Sequence, residues 1–335
     1  MRRGSTRPKL ALYWAASCGG CEMAFLSLDE LLFALNDSFE IVFCPCLVDA
    51  KRADLEALPD GDIAIALFNG GIRTNDDKIM AHLLRQKSRM LIAFGSCAHE
   101  GCIPGLANLL TPHEHISSSF LENRTTENSR RIIPKSSTPV KEGTLRLPLW
   151  NDRLTTLAQN VPVEYFLPGC PPEPHRVAEL FRMISGEAEM PSAGSVIGAG
   201  SSTVCAECPR ERGGKYVTRF SRIHEKITVP SLCLIEQGIV CMGIATRDGC
   251  GCRCPGANMP CSGCYGTPEG VSDQGAAMIS ALASVIDIGH VEGVSSGELS
   301  GRIDAVINTL PDHVGTFWKY SLADSLLAGL LGRQR

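Results

Sequence analysis

Apolar residues in the first part of the chain form short continuous runs, and stretches with helical spacing separate these runs. The runs that predict buried strands are Leu10–Ala15, Glu40–Phe43, Asp62–Gly71, Arg89–Cys97 and Val163–Cys170. The stretches that predict helices are Glu22–Leu35, Asp76–Ser88 and Pro174–Ile184. Because continuously apolar strands that alternate with helices are typical of parallel sheets, we expect an α/β fold with helices on both faces of the sheet.

Two segments interrupt this alternation. Thr111–Asp152 is polar and predicts an excursion over the surface, whereas Met190–Thr203 is rich in small residues and predicts a linker. We therefore expect two domains, residues 1–190 and residues 191–335. The second domain is expected to be irregular and rich in cysteine, with helices at Asp273–Ile288 and Phe317–Leu331.

The overall composition excludes several classes of function. The chain has 335 residues, of which 44% are hydrophobic and 20% charged, and its formal net charge is −4. This balance does not favour binding to nucleic acid or to an anionic membrane. No run approaches the 18 apolar residues or more that a transmembrane helix requires, so we expect no direct membrane insertion.

The 16 cysteines are the unusual feature of the composition. The start of the chain, MRRGSTRPKLALYWAA, resembles an export signal, which would make disulfides possible. However, the apolar run LALYWAA is short for a signal sequence and leads directly into a CxxC pair. We therefore expect a cytoplasmic protein, in which clustered cysteines indicate metal or redox chemistry.

Four cysteines follow predicted strands at the same edge of the sheet. They are Cys18 and Cys21 after the first strand, Cys97 after the fourth and Cys170 after the fifth. Ligands of open parallel sheets bind outside the carboxyl ends of the strands, so these thiols are expected to converge. Four thiolates suit either a tetrahedral zinc ion or a [4Fe–4S] cluster. Their wide spacing along the chain and their place at the sheet edge favour the cluster.

The motifs CGGCE, FGSCAHEGCIPGL and PGCPPEP resemble those of the small subunits of [NiFe] hydrogenases. The resemblance implies a flavodoxin-like domain in which Cys18, Cys21, Cys97 and Cys170 hold the proximal [4Fe–4S] cluster. The related subunit of respiratory complex I shares this domain. It typically has adjacent cysteines in place of CxxC, and it lacks a cysteine-rich C-terminal part.

The same resemblance assigns the downstream cysteines. Cys205, Cys208, Cys233 and Cys241 would hold a distal cluster, and Cys250, Cys254, Cys261 and Cys264 a medial cluster. The chain departs from the usual pattern at Cys205, where a histidine is common, and at Cys254, which replaces a proline. All-thiolate ligation adds negative charge and is expected to lower the reduction potential of a cluster.

The segments LFNGGIRT and CLIEQGIVCMGIATRDGCGCRCPGANMPCSGCYG are most similar to the deazaflavin-non-reducing (methyl-viologen-reducing) hydrogenases. This resemblance implies an oxidoreductase subunit with three [4Fe–4S] clusters. Electrons would pass from a nickel–iron centre in a large subunit through the proximal, medial and distal clusters. The acceptor would be an iron–sulfur or flavin protein such as a heterodisulfide reductase, with a small [2Fe–2S] subunit as a further partner.

Catalytic residues for hydrogen chemistry are not expected in this chain. It lacks the two CxxC pairs that hold the nickel–iron centre in the large subunits of the resembling family. One alternative is a complex-I-like or membrane-hydrogenase connector, which passes electrons to quinone or to a proton-pumping module. That alternative predicts a single cluster, and the downstream cysteines argue against it. Another alternative is a zinc-stabilised scaffold without a redox role.

Four cysteines remain outside these sets. Cys44, Cys46 and Cys102 are interpreted as small buried hydrophobic residues, although Cys44 and Cys46 follow the second strand and so lie at the functional edge. Cys252 is an alternative to Cys254 as the fourth medial ligand, and we favour Cys254.

Four polar residues near these motifs have two interpretations each. Glu22 is interpreted as a helix-start carboxylate, with proton relay or partner contact as the alternative. Arg73 either tunes the proximal cluster or forms an ordinary surface ion pair. His99 and His175 lie near cluster cysteines in sequence and are expected to donate hydrogen bonds rather than bind iron.

Overall fold

A computed structural model describes residues 7–290, 292–310 and 312–327 of the chain. The chain divides into two compact units. The first comprises Met1–Gly198 together with the segment that begins at Leu322, and the second comprises Ala199–Ser321. The boundary after Gly198 falls inside the predicted linker.

A five-stranded parallel sheet forms the centre of the first unit. The strands of this unit, numbered along the chain, are β1 (Lys9–Trp14), β2 (Glu40–Phe43), β3 (Ile63–Asn69), β4 (Ile72–Thr74), β5 (Ser88–Phe94), β6 (Ser137–Val140), β7 (Gly143–Arg146), β8 (Trp150–Thr155) and β9 (Tyr165–Leu167). The strand order of the central sheet is β2-β1-β3-β5-β9, and every neighbouring pair is parallel. This is the flavodoxin-like order, which confirms the predicted fold class. Two smaller pairings are antiparallel, β4 with β8 and β6 with β7.

The helices of the first unit connect these strands. They are α1 (Gly20–Leu26), α2 (Leu31–Ser38), α3 (Arg52–Ala57), α4 (Asn75–Lys87), α5 (Ser96–Glu100), α6 (Cys102–Gly105), α7 (Pro112–Ser117) and α8 (Pro174–Ile184). The predicted helix Glu22–Leu35 is two helices, because the chain turns between them at Asp29, which adopts a φ of 50°. The predicted helix Pro174–Ile184 is confirmed as α8.

Both faces of the sheet are covered, as the apolar strands predicted. On one face, Leu12 and Leu67 pack in a cluster with Phe25 of α1 and Phe181 of α8. On the other face, Phe68 packs in a cluster that includes Leu84 of α4. Successive strand residues point to opposite faces, so alternate residues of one apolar run supply both cores.

The polar stretch Thr111–Asp152 has more structure than the sequence predicted. It contains α7, which a Thr111–Glu114 capping box starts, and the exposed hairpin β6–β7. Capping and hairpin pairing satisfy backbone groups locally, so these elements form without an apolar face that would reveal them in the sequence.

The second unit contains short helices between long irregular segments. They are α9 (Val204–Glu207), α10 (Arg253–Gly256), α11 (Gln274–Ala283), α12 (Ser296–Ile307) and α13 (His313–Phe317). Side chains hold the irregular segments together: the Arg210 guanidinium donates hydrogen bonds to the carbonyl oxygens of Pro255, Val229 and Leu232. These bonds join the segments around Val229, Leu232 and Pro255 through one side chain.

The helices of the C-terminal part differ from the sequence prediction. Asp273–Ile288 is shorter, as α11, and α12 was not predicted. The predicted helix Phe317–Leu331 is wrong over residues 318–325, which form turns and a 3₁₀ turn, and its residues from 328 lie outside the described residues. The chain turns at Trp318, whose indole N–H donates to Asp273 Oδ1 at 2.7 Å. Among the described residues, no helix is long and apolar enough to cross a membrane.

The contact between α11 and Trp318 yields a stability prediction. A Cβ atom added at Gly275 would lie 2.1 Å from Trp318 Cε2. Gly275→Ala is therefore expected to lower the free energy of unfolding by about 1–3 kcal/mol, because the indole must shift in a packed site. Thermal unfolding of the anaerobically purified protein measures this change.

Gly301→Ala is the matched control, since Gly301 lies inside α12 and an added Cβ would meet no atom within 4 Å. It is expected to raise the free energy of unfolding by up to about 1 kcal/mol, the helix preference of alanine over glycine. Equal effects of the two substitutions would contradict the packing described for Trp318.

Candidate metal centres

Four thiols, here called the proximal thiol set, lie at the carboxyl edge of the parallel sheet. Cys18 follows β1, Cys21 lies on α1, Cys97 lies on α5 directly after β5, and Cys170 follows β9. Cys21 and Cys97 are buried, whereas Cys18 and Cys170 are exposed. The set therefore has a buried side within the fold and an open side toward solvent.

The four thiols share one electrostatic environment. Burial raises the pKa of Cys21, and the charges of Cys97, Glu22, Cys170 and Cys18 raise it further. Thiolates that repel one another in this way need a neutralising cation before all of them can be charged. Iron or zinc ions supply that charge and bind the thiolate form.

The backbone beside the set leaves no space for a side chain at Gly95, because the sulfur of Cys21 occupies it. A Cβ atom on Gly95, which has a φ of 84°, would lie 2.4 Å from Cys21 Sγ. The loops after β5 and β9 are tied together: the Gly95 amide donates to the Leu167 carbonyl at 2.8 Å, and the Ser96 amide donates to the Gly169 carbonyl at 3.0 Å. These bonds fix the loops that carry Cys97 and Cys170.

The donor set fits an iron–sulfur cluster. It consists of thiols from separate loops around a cradle of glycines, and each iron of a [4Fe–4S] cluster takes one thiolate. Within residues 7–290, 292–310 and 312–327, no group of three or more His, Cys, Asp or Glu side chains is arranged to hold a single metal ion.

Cys102 adds a fifth thiol to this place. It is fully buried, and its Sγ lies 3.6 Å from Cys170 Sγ, to which it donates a hydrogen bond. This hydrogen bond lowers the pKa of Cys170 to about 7, against the opposing effect of burial. The sequence predicted the burial of Cys102 but not its contact, although the spacing of five residues from Cys97 was available as a signal.

A second group of thiols, the distal thiol set, surrounds one small cavity in the second unit. The cavity has a volume of about 30 Å³, and Cys205, Cys208, Cys233 and Cys241 all line it. The set is half-buried to buried. The four thiols that the family resemblance groups together thus lie around a single space.

Arg212 lines the same cavity and was not singled out from the sequence. Its guanidinium donates a hydrogen bond to Cys205, and the charges of Cys205, Cys233 and Cys208 raise the pKa of Arg212. Burial raises the pKa of Cys205, and Arg212 opposes that rise. The run CAECPRER places this arginine soon after the CxxC pair, which is the signal that the sequence offered.

The remaining four candidate ligands are here called the medial thiol set: Cys250, Cys254, Cys261 and Cys264. Cys261 connects this set to the distal one, because its amide N–H donates to Cys241 Sγ at 3.2 Å. Burial, and to a smaller extent the charge of Cys241, raises the pKa of Cys261 to about 12. Cys250 contributes to the same rise. The medial and distal thiol sets therefore adjoin within the second unit.

Cys252 and Cys254 have different surroundings. Cys252 is buried and forms a hydrogen bond with the thiol of Cys208. The pKa of Cys252 is raised, and burial is the largest cause. Cys254 lies on α10 and is exposed. Because exposed thiols also occur in the proximal thiol set, exposure does not disqualify Cys254, and its choice over Cys252 stays a prediction.

Cys44 and Cys46 lie away from the three thiol sets in sequence and form a pair of their own. Their sulfur atoms are 3.4 Å apart, with Cys44 buried and Cys46 exposed. The interpretation as a small buried residue is therefore wrong for Cys46. In the turn that contains both cysteines, the Leu47 amide N–H donates a hydrogen bond to the Cys44 carbonyl oxygen, 2.9 Å away.

The polar candidates near the proximal thiol set differ in their contacts. Glu22 is buried in the first turn of α1 and accepts a hydrogen bond from the Asn69 side chain. Arg73 is buried with its guanidinium 4.7 Å from the centre of the Trp150 ring, so the interpretation as an ordinary surface ion pair is wrong. The ring of His99 packs on Phe166.

His175, the last of the candidate donors, is exposed on the first turn of α8. Its expected role as a hydrogen-bond donor to a cluster stays a prediction.

The sequence is similar to one protein family and to curated hydrogenase subunits. Residues 18–184 match the family described as NADH ubiquinone oxidoreductase, 20 Kd subunit. The iron–sulfur subunit of the F420-non-reducing hydrogenase from Archaeoglobus profundus is 34% identical over 95% of this chain and 97% of its own length. The corresponding F420-non-reducing hydrogenase subunit from Methanothermobacter marburgensis is 33% identical over 95% of this chain and 96% of its own length.

The cradle around Cys21 yields a prediction for Gly95. Gly95→Ala is expected to displace Cys21 Sγ and to remove about four irons per chain, the content of one cluster, from the anaerobically purified protein. Iron and acid-labile sulfide analysis measures the loss.

Gly186→Ala is the control, because Gly186 has a similar φ of 78° and an added Cβ would meet no atom within 4 Å. It likewise places a Cβ at a positive φ, but without the contact to sulfur. Full iron content in Gly95→Ala would contradict the proposed closeness of this glycine to a ligand.

Proposed function

The chain belongs to the family of F420-non-reducing hydrogenase iron–sulfur subunits, and we propose that it carries electrons through three [4Fe–4S] clusters between a hydrogenase large subunit and a partner protein. It is an electron-transfer subunit of an oxidoreductase complex. The observation that carries the proposal is the grouping of thiols at the carboxyl edge of the sheet and around the distal cavity, in a chain similar to iron–sulfur subunits over nearly its whole length.

Each cluster, when bound, supplies reversible one-electron transfer. The proximal, medial and distal thiol sets would hold one cluster each, in this order along the electron path. The chain's own groups set the surroundings of the sulfur atoms. Backbone amides are among them: the N–H groups of Gly243 and Cys261 donate to Cys241 and oppose the rise of its pKa that burial causes. Such donors stabilise negative charge on a ligand sulfur.

The open side of the proximal thiol set supports a docking surface for the large subunit. Three apolar side chains close along the chain to Cys18, Cys21 and Cys102 are exposed: Trp14 to 43%, Met23 to 62% and Ile103 to 46%. Exposed apolar patches mark protein–protein contacts. The nickel–iron chemistry would take place on that partner, next to Cys18 and Cys170.

The distal thiol set is proposed to pass electrons to an iron–sulfur or flavin protein, such as a heterodisulfide reductase with a small [2Fe–2S] subunit, in the cytoplasm. The relatives are named F420-non-reducing hydrogenases, a name that excludes F420 as the acceptor of those proteins. The exposed Arg212 beside Cys205 offers positive charge at this end of the path.

The direct test of function is the loss of one proximal ligand. Cys18→Ser in the intact complex is expected to reduce hydrogen-driven reduction of the other clusters by more than about tenfold, because electrons enter at this set. Electron paramagnetic resonance after exposure to hydrogen measures it, and dithionite is expected to reduce the remaining clusters as in the wild type.

Cys46→Ser is the control, since Cys46 is an exposed cysteine outside the three thiol sets. Undiminished hydrogen-driven reduction in Cys18→Ser would overturn the assignment of the proximal thiol set as the point of entry.

Arg212 yields a prediction for the distal end. Arg212→Gln removes a positive charge and a hydrogen bond from Cys205, so the oxidised form of the distal cluster becomes relatively more stable. We expect the equilibrium constant for reduction of the distal cluster to fall by about tenfold, which lowers its reduction potential by about 59 mV for a one-electron couple. A redox titration followed by electron paramagnetic resonance measures the shift.

Arg219→Gln is the matched control, because it removes the same charge from an exposed residue that does not line the distal cavity. A shift of equal size in both variants would show a general effect of net charge and contradict a specific role of Arg212.

A further inference from the structure

The proximal site contains five thiols, one more than a [4Fe–4S] cluster needs. The fifth, Cys102, begins α6 directly after Gly101, which turns the chain with a φ of 90°. A Cβ at Gly101 would lie 2.4 Å from the Cβ of Ala323, so this turn is tightly enclosed. The position of Cys102 is therefore determined by packed backbone on its N-terminal side.

The backbone at Cys102 is in an unfavourable conformation. Its φ is 48°, in the left-handed region that glycine adopts freely and other residues adopt at a cost of about 1–2 kcal/mol. Glycine at this position would avoid the cost. A non-glycine residue held in this region next to a functional site is an observation that points to a use for its side chain.

The sulfur geometry shows what that use is. Cys102 Sγ lies 3.6 Å from Cys170 Sγ, a distance suited to an S–H···S hydrogen bond and much longer than the roughly 2.05 Å of a disulfide. The thiol is also within hydrogen-bond reach of Cys97. No surface of Cys102 is exposed, so water cannot replace either sulfur as its partner.

The two sulfur atoms have different tasks in this arrangement. Cys170 is exposed and completes the proximal thiol set, so it is the sulfur that binds iron as a thiolate. Cys102, which has no exposed surface, is the donor of the hydrogen bond between the two sulfur atoms.

We propose that Cys102 is a positioning residue that donates its S–H to the ligand sulfur of Cys170, orients that ligand and raises the reduction potential of the proximal cluster. The inference rests on the proposed function, because it requires a cluster at the proximal thiol set. Hydrogen bonds to ligand sulfurs favour the more negative, reduced form of a cluster. The fifth thiol thus partly offsets the low potential that all-thiolate ligation favours, and it makes the proximal cluster a better acceptor of electrons from the large subunit.

Cys102→Ala removes the donor without a new backbone penalty, since alanine and cysteine both carry a Cβ. Cys102→Ser keeps a hydroxyl donor at the same place. Cys44→Ala is the matched control: Cys44 is also buried, and its thiol also lies beside another cysteine sulfur, Cys46, but outside the proximal thiol set.

The experiment is a redox titration of the proximal cluster in the intact complex, with iron analysis of each variant. In Cys102→Ala we expect full iron content and an equilibrium constant for reduction of the proximal cluster that is about tenfold smaller, so that its potential is about 59 mV lower. We expect less than half of that shift in Cys102→Ser and none in Cys44→Ala.

Two results would overturn the inference. An unchanged potential in Cys102→Ala would mean that the thiol does not act on the cluster. Loss of about four irons would mean that Cys102 is itself a ligand rather than a hydrogen-bond donor. A wild-type complex without a cluster at the proximal thiol set would instead overturn the proposed function, before any variant of Cys102 is compared.

Discussion

Repulsion among converging thiolates is the constraint on which both units depend. At the sheet edge, Cys21 and Cys97 are buried beside two further thiols, and in the second unit four thiols line a cavity of about 30 Å³. Burial and like charges raise the pKa of such groups, so the thiolate forms are stable together only with bound cations. Because metal binding and thiolate formation are coupled, cluster assembly contributes directly to the stability of the fold. This coupling matters most in the second unit, whose irregular segments are held by side chains such as Arg210 rather than by a sheet.

The proximal and distal sites differ in what surrounds their sulfur atoms. The proximal thiol set has a neutral donor, the thiol of Cys102, against Cys170. The distal thiol set has a cation, Arg212, against Cys205, and backbone amides against Cys241. Each of these groups favours negative charge on sulfur, and together they oppose the low potential expected from all-thiolate ligation. The fold therefore tunes similar ligand sets by different means at the two ends of the proposed path.

Much of the first unit could be predicted from periodicity, because continuous apolar runs such as that of β3 identify buried parallel strands. The convergence of Cys18, Cys97 and Cys170 followed from the same pattern, since parallel strands present their carboxyl ends at one edge. The contact of Cys102 was not predicted: its spacing from Cys97 is visible in the sequence, but the contact depends on a left-handed turn that is usual for glycine. The break between α1 and α2 at Asp29 escaped prediction for the same reason. Arg212 was missed because its position depends on the irregular fold of the second unit, which no periodicity describes.

The central claim is that the three thiol sets hold iron–sulfur clusters, and metal analysis of the anaerobically purified wild-type complex tests it most directly. Quantification of iron, acid-labile sulfide and zinc, together with Mössbauer spectroscopy, distinguishes the cluster types from one another and from a zinc site. The account predicts about twelve irons and about twelve sulfides in this chain, the content of three [4Fe–4S] clusters, without stoichiometric zinc. A colourless chain with stoichiometric zinc, or one with the iron of a single cluster, would contradict it.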